Sequence, residues 1–116
     1  MTSQNIPSLD DERAVKMLGA LAQSTRLKIF RTLMSTGEAG MPAGKIAEEL
    51  GQKQNTLSSH LNILLNAELL QYRRDGRHLI YSVKITEMGE LISYLVNNCC
   101  NGDPEICGIS LKRIEP

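Results

Sequence analysis

Three cysteines fall in one short stretch, Cys99-Cys100-Asn-Gly-Asp-Pro-Glu-Ile-Cys107, and the chain has no others. Thiolates are soft ligands. Three of them without a neighbouring histidine suit a three-coordinate ion that keeps a lone pair, such as As(III) or Sb(III). Tetrahedral zinc would lack its usual fourth ligand, and a carboxylate from Asp103 or Glu105 is a hard completion for a thiol-rich site. On a regular helix Cys99 and Cys100 point about 100° apart, so convergence needs fraying near Gly102 and a turn of the tail that returns Cys107. Whether Cys107 serves its own chain or a second one is open. So are other readings of the same residues: a redox or persulfide switch, recognition of methylarsenite by Cys99 and Cys100 alone, or small apolar residues that merely extend a helix stripe.

A second group of residues has a different chemistry. Gln54, Asn55, Thr56, Ser58, Ser59 and His60 offer amide, hydroxyl and imidazole groups, the types that reach base edges and phosphates in a major groove. Arg73, Arg74 and Arg77 follow in a short basic segment suited to backbone phosphates or a minor groove. A solvated helix face and solubilising arginines are the plainer alternatives. The chain is neutral overall, with 13 Lys+Arg against 13 Asp+Glu. Residues 52–84, however, carry Lys53, Arg73, Arg74, Arg77 and Lys84 against only Glu68 and Asp75, so the rest of the chain is correspondingly acidic. This segregation matters more for a polyanionic partner than the total does.

Size and composition limit what can position these groups. A chain of 116 residues with 41% hydrophobic residues reads as one small packed domain. No run approaches the roughly 18 consecutive apolar residues of a membrane span. The polar start Met1-Thr2-Ser3-Gln4-Asn5 lacks the pattern of a secretory signal, so a cytoplasmic protein with reduced thiols is expected. Aromatic residues make up only 3%, too few for a platform that stacks single-stranded bases, and the expected nucleic acid is duplex. An enzyme is not expected: there is no Cys-x-x-Cys, no βαβ pattern and no histidine beside the cysteines to activate a nucleophile.

The elements follow from periodicity and punctuation. Ala14, Met17, Leu18, Leu21 and Ala22 mark one face of a first helix, capped by Ser8 or Asp10. Ser24 is the expected cap of a second, whose buried stripe of Leu27, Ile29, Phe30, Leu33 and Met34 stops at Gly37. Pro42 suits the first turn of a third helix, with Ile46, Ala47 and Leu50 inward and Gly51 ending it. A fourth runs from about Gln54 to Asn66, with Leu57, Leu61, Leu64 and Leu65 inward. Leu70–Arg74 and His78–Val83 then read as strands of a hairpin turning about Asp75-Gly76. Thr86 is the expected cap of a last helix with Met88, Leu91, Ile92, Leu95 and Val96 as its stripe.

The expected fold is therefore mainly α with a small β-hairpin, a winged helix-turn-helix. Residues 1–9 are expected to be a flexible N-terminus, 10–100 the DNA-binding and dimerisation domain, and 101–116 a tail completing the cysteine cluster. Ala47, Gly51 and Leu57 occupy the small, turn and anchor positions of the motif.

The strings Leu18–Phe30, Ile46–Gly51, Asn55–Leu61 and Arg73–Tyr81 resemble the ArsR/SmtB family of bacterial repressors over about residues 14–96. That resemblance implies a homodimer paired through its first and last helices, which binds a near-palindromic DNA operator and leaves it when an inducer binds. Two-fold symmetry would set the recognition helices roughly 34 Å apart, one turn of DNA. The stripes on the first and last helices support pairing, since they give a small monomer more apolar surface than its core hides. Many relatives carry a cysteine pair in the third helix, at positions matching Pro42 and Gly44, which cannot be side-chain ligands. Others bind zinc through histidines and carboxylates on the last helix, whereas the histidines here are His60 and His78. The resemblance does include arsenic-responsive members with adjacent cysteines after the last helix. The implied inducer is As(III) or Sb(III), with no permanent cofactor.

Overall fold

The computed structural model describes residues 9–99, with side chains through Val96. Residues 1–8 of the expected N-terminal segment and the tail with Cys100 and Cys107 lie outside the described residues, as does the side chain of Cys99, whereas Leu9, expected to close the flexible segment, is buried in the core. Helix α1 spans Asp11–Leu21, α2 Ser24–Thr36, α3 Ala43–Leu50, α4 Gln54–Asn66 and α5 Ile85–Cys99. A three-stranded antiparallel sheet is formed by β1 (Met41–Pro42), β2 (Leu70–Asp75) and β3 (His78–Val83), with β3 in the middle. This is the winged helix-turn-helix expected from the sequence, enlarged by one short strand.

Local chemistry explains the boundaries. Asp10 caps α1, its carboxylate accepting from the Arg13 N–H at 2.8 Å. The cap of α2 is Gln23 and not Ser24: the Gln23 side-chain oxygen accepts from the Arg26 N–H at 2.9 Å, which leaves Ser24 as the first helical residue. Gly37 ends α2 at φ 62° and opens a 3-10 turn, Gly37–Ala39. Pro42 lies just before α3 and does not belong to its first turn, because Met41 and Pro42 pair with Tyr81 and Ile80 as an edge strand. Edge pairing suits proline, which has no N–H to offer a ladder. Gly40 permits this approach, since a Cβ there would lie 2.4 Å from the Tyr81 carbonyl oxygen.

Two helices end in the same hydrogen-bonded motif with different residues. At α3 the Gln52 N–H reaches Ala47 O and the Gly51 N–H reaches Glu48 O, with Gly51 left-handed at φ 62°. At α4 the Leu69 N–H reaches Leu64 O and the Glu68 N–H reaches Leu65 O, with Glu68 at φ 63°. A residue with a Cβ costs about 1 kcal/mol in that conformation. The Glu68 carboxylate meets Arg13 at 3.4 Å and Lys84 at 3.9 Å, so this corner joins α1, the end of α4 and the start of α5.

The hairpin differs from expectation by one position. Asp75 pairs with His78, leaving Gly76 and Arg77 as the loop, with Gly76 at φ 65°. Glycine as the first central residue is the type II′ arrangement, whose twist matches the strands. Thr86 lies within the first turn of α5, which begins at Ile85, and is not its cap.

The core contains Met17, Ile29, Leu33, Ile46, Leu57, Leu61, Leu64, Leu69, Leu70 and Leu91, all fully buried. The stripe expected on α2 is narrower than its sequence suggests: Ile29, Phe30 and Leu33 are buried, but Leu27 and Met34 are each 43% exposed. Leu27, Met34 and the other three residues span too wide an arc for one helix to bury them all against α3, α4 and the sheet. Ala22 is likewise the exposed C-cap of α1 and no part of its buried face.

Candidate nucleic-acid interface

The path from Ala47 to Leu57 aims α4. Ala47 is small and buried where α3 meets α4, left-handed Gly51 reverses the chain, and Leu57, Leu61 and Leu64 anchor α4 in the core. With that stripe inward, the opposite face turns Gln54, Asn55, Thr56, Ser58, Ser59 and Asn62 to solvent. Lys53, at the N-cap position, supplies no side-chain cap, and no acidic residue lies in the first turn. The Asn55 side-chain oxygen accepts from the Thr56 N–H at 2.8 Å, so Asn55 holds the first turn with its oxygen. Its amide NH₂ remains a donor. The helix entrance is therefore a polar surface free of carboxylates, suited to an anionic partner.

His60 is placed differently from its neighbours. It is half-buried, and its Nδ1 accepts from the Arg26 guanidinium at 3.4 Å, since arginine can only donate. Arg26 also donates through Nε to the Ala20 carbonyl at 2.6 Å. His60 thus helps join α4 to α2 and the end of α1, with only its Nε2 side left for an outside partner.

The three arginines of the hairpin also separate into two kinds. Arg73 donates to the carbonyls of Glu38 at 3.2 Å and Ala39 at 3.1 Å, bridging β2 to the 3-10 turn. Arg74 is exposed on the opposite strand face, and Arg77 is exposed in the loop. Neither has a hydrogen bond or ion pair among the described residues. Strand alternation puts Tyr72 beside Arg74, 55% exposed, with its ring 5.9 Å from that of Tyr81. Burial, and then the neighbouring Tyr72, push the Tyr81 hydroxyl above the usual tyrosine value, so it stays protonated and able to donate. Sequence reasoning counted Lys53 in the basic segment without naming it as a contact and passed over Tyr72; the alternation within Leu70–Asp75 is the signal that sets Tyr72 beside Arg74.

Among the described residues no three histidine, cysteine or acidic side chains are grouped to hold a metal ion. His78 is exposed at the end of β3, opposite Asp75 and remote in sequence from the cysteines. Nor is any described helix long and apolar enough to cross a membrane.

Comparison with known proteins agrees with this geometry. A helix-turn-helix domain family matches residues 21–73, from the end of α1 through most of β2. The transcriptional repressor SdpR of Bacillus subtilis (strain 168) is 34% identical over 87 residues, covering 75% of this chain and 93% of that protein. Among solved structures, an ArsR-like transcriptional regulator from Rhodococcus sp. RHA1 superposes with a TM-score of 0.70 at 23% identity, covering 86% of this chain and 92% of that one. The homodimeric winged helix-turn-helix DNA-binding domain Mb0332 from Mycobacterium bovis gives 0.60 at 20% identity, covering 84% and 96%. The two structures speak to the fold, and the repressor, nearly all of whose length is matched, to the family. With the helix-turn-helix and the three-stranded wing in this order, the chain belongs to the ArsR/SmtB family of winged helix-turn-helix transcriptional regulators.

Proposed function

We propose that this chain is a homodimeric repressor that binds a two-fold operator through α4 and the hairpin and releases it when As(III) or Sb(III) binds Cys99, Cys100 and Cys107. The observation that carries the DNA reading is the carboxylate-free polar face of α4, held outward by Leu57, Leu61 and Leu64. Gln54, Asn55, Thr56, Ser58 and Ser59 meet base edges and phosphates, and Arg74 and Arg77 meet the backbone beside them. Arg73 and His60 act mainly by holding the wing and α4 in place. Pairing of two chains is supported by the apolar residues that α1 and α5 leave at the surface, Val15, Leu18, Ile85 and Leu95.

The metalloid reading is supported by the sequence: Cys99 is the last residue of α5, and Cys100 and Cys107 follow within the next eight positions. Arsenite, As(OH)₃, exchanges its hydroxides for thiolates; each new As–S bond takes the place of an S–H, and water leaves. Binding next to the pairing helix biases the dimer toward an arrangement that docks less well. Reciprocity then requires operator DNA to weaken arsenite binding by the factor by which arsenite weakens DNA binding, typically about 5- to 150-fold.

Native mass spectrometry of the fully reduced protein with stoichiometric arsenite tests this reading. The expected species is a dimer with one arsenic per chain and three thiol protons lost for each. A dimer with three free thiols per chain and no arsenic would remove the metalloid from the account. A Cys107→Ser protein that keeps the full response to inorganic arsenite would reduce the site to Cys99 and Cys100.

A further inference from the structure

Apart from Arg26, which holds His60, helix α2 plays no part in the interface described so far, yet it carries two further cations one helical turn apart. Lys28 and Arg31 are both exposed, and neither has an ion-pair partner among the described residues, whereas Arg13, Lys45 and Lys84 do. Together with Thr32 and Leu50 they line a shallow recess of about 320 Å³ where α2 meets the end of α3. The nearby Glu48 is engaged by Lys45 at 3.9 Å. Leu50 closes α3, and only Gly51, Gln52 and Lys53 separate it from the first residue of α4. A chain of that length spans at most about 14 Å, so the recess lies close to the entrance of α4.

Duplex DNA carries one charge per roughly 1.7 Å of axis, so a duplex lying across α4 presents further phosphates on either side of it. Lys28 and Arg31 on α2, with Lys53 at the N-cap of α4, put three exposed cations on the approach to the polar face of α4. We infer that Lys28 and Arg31 of α2, seated beside Leu50, form a phosphate-binding flank that grips duplex DNA just outside the bases read by α4. The inference rests on the DNA reading above and adds a partner surface to it. Charge complementarity and continuity with α4 favour DNA there over an acidic protein.

The test uses the full-length protein and a duplex selected from a random pool by it. Binding is followed by fluorescence anisotropy from 50 to 200 mM salt, on the selected core alone and on the same core with about six further base pairs at each end. Lys28→Gln combined with Arg31→Gln removes four cations per dimer. On the long duplex the salt slope is expected to fall by about 3.6, so the advantage of the unmodified protein shrinks about 150-fold across that range. On the core alone the two proteins are expected to share one slope. Equal slopes on the long duplex would overturn the inference, and so would an affinity loss without a slope change, which marks damage to the fold. If acidic peptides protect Lys28 and Arg31 from chemical labelling and the long duplex does not, the flank belongs to a protein partner and the inference fails. If the unmodified protein enriches no duplex at all, the DNA reading itself fails.

Discussion

Around α4 the exposed residues are mainly amides and hydroxyls, with Ile63 the apolar exception and Leu57, Leu61 and Leu64 inside, whereas α1 and α5 each leave more than one apolar side chain at the surface. Met17 and Leu91 are fully buried, yet Val15 is 68% exposed and Ile85 54%. A polar face in water is already satisfied, and it changes partner only for something that competes with water, such as a polyanion. An apolar stripe gains about 25 cal/mol for each Å² it hides, so it favours a second apolar surface. The two regions thus suit different kinds of partner, although both belong to one small core.

This contrast can be broken most strongly at the pairing stripe. Leu18→Lys with Leu95→Lys is expected to convert the proposed dimer to a monomer, since both residues are partly exposed in one chain. Losing the second, tethered binding event should lower affinity for a two-fold duplex by about 10²- to 10⁴-fold. Sedimentation velocity and anisotropy check the two halves of that statement, and a variant that stays dimeric would contradict it.

Next in size is the anchor of α4. Leu57→Ala leaves a cavity under the recognition helix and should destabilise the protein by about 2–5 kcal/mol. Leu95→Ala, at a site 39% exposed in one chain, should cost far less at concentrations where the chains are apart. Urea unfolding at high and low protein concentration separates these effects.

Within the wing, Arg77→Gln is expected to reduce the salt slope of DNA binding by about 0.9 for each phosphate contact removed. Arg73→Gln should leave that slope nearly unchanged and loosen the 3-10 turn, raising amide exchange around Glu38 and Ala39, because its guanidinium is already occupied by their carbonyls. The smallest effect is expected at the α4 corner. Glu68→Gly relieves a left-handed conformation worth about 1 kcal/mol but gives up two exposed ion pairs and some rigidity, so its stability should stay within about 0.5 kcal/mol.

Much of the scaffold was legible in the sequence because its determinants are local. Leucines spaced as Leu57, Leu61 and Leu64 define α4 and its free face without reference to distant residues, and Gly51 signals the turn before it. What was not legible depends on partners far along the chain. Two residues are too few for a strand to show a period, so β1 becomes visible only against Ile80 and Tyr81. The division of the arginines has the same origin, since Arg73 finds its carbonyls 35 and 34 positions away. His60 reads as one more polar residue of the recognition face until Arg26, 34 positions earlier, is seen to reach it. The cysteine cluster, for its part, is legible as chemistry alone, because Cys100 and Cys107 fall outside the described residues.

The most direct test of a two-fold DNA reader built from α4 and the hairpin is selection of bound duplexes from a random-sequence pool by the reduced, metalloid-free protein. The account predicts an enriched pseudo-palindrome whose half-site centres lie one helical turn, about 10–10.5 base pairs, apart. Enrichment of an isolated half-site without symmetry, or no enrichment at low salt, would contradict it.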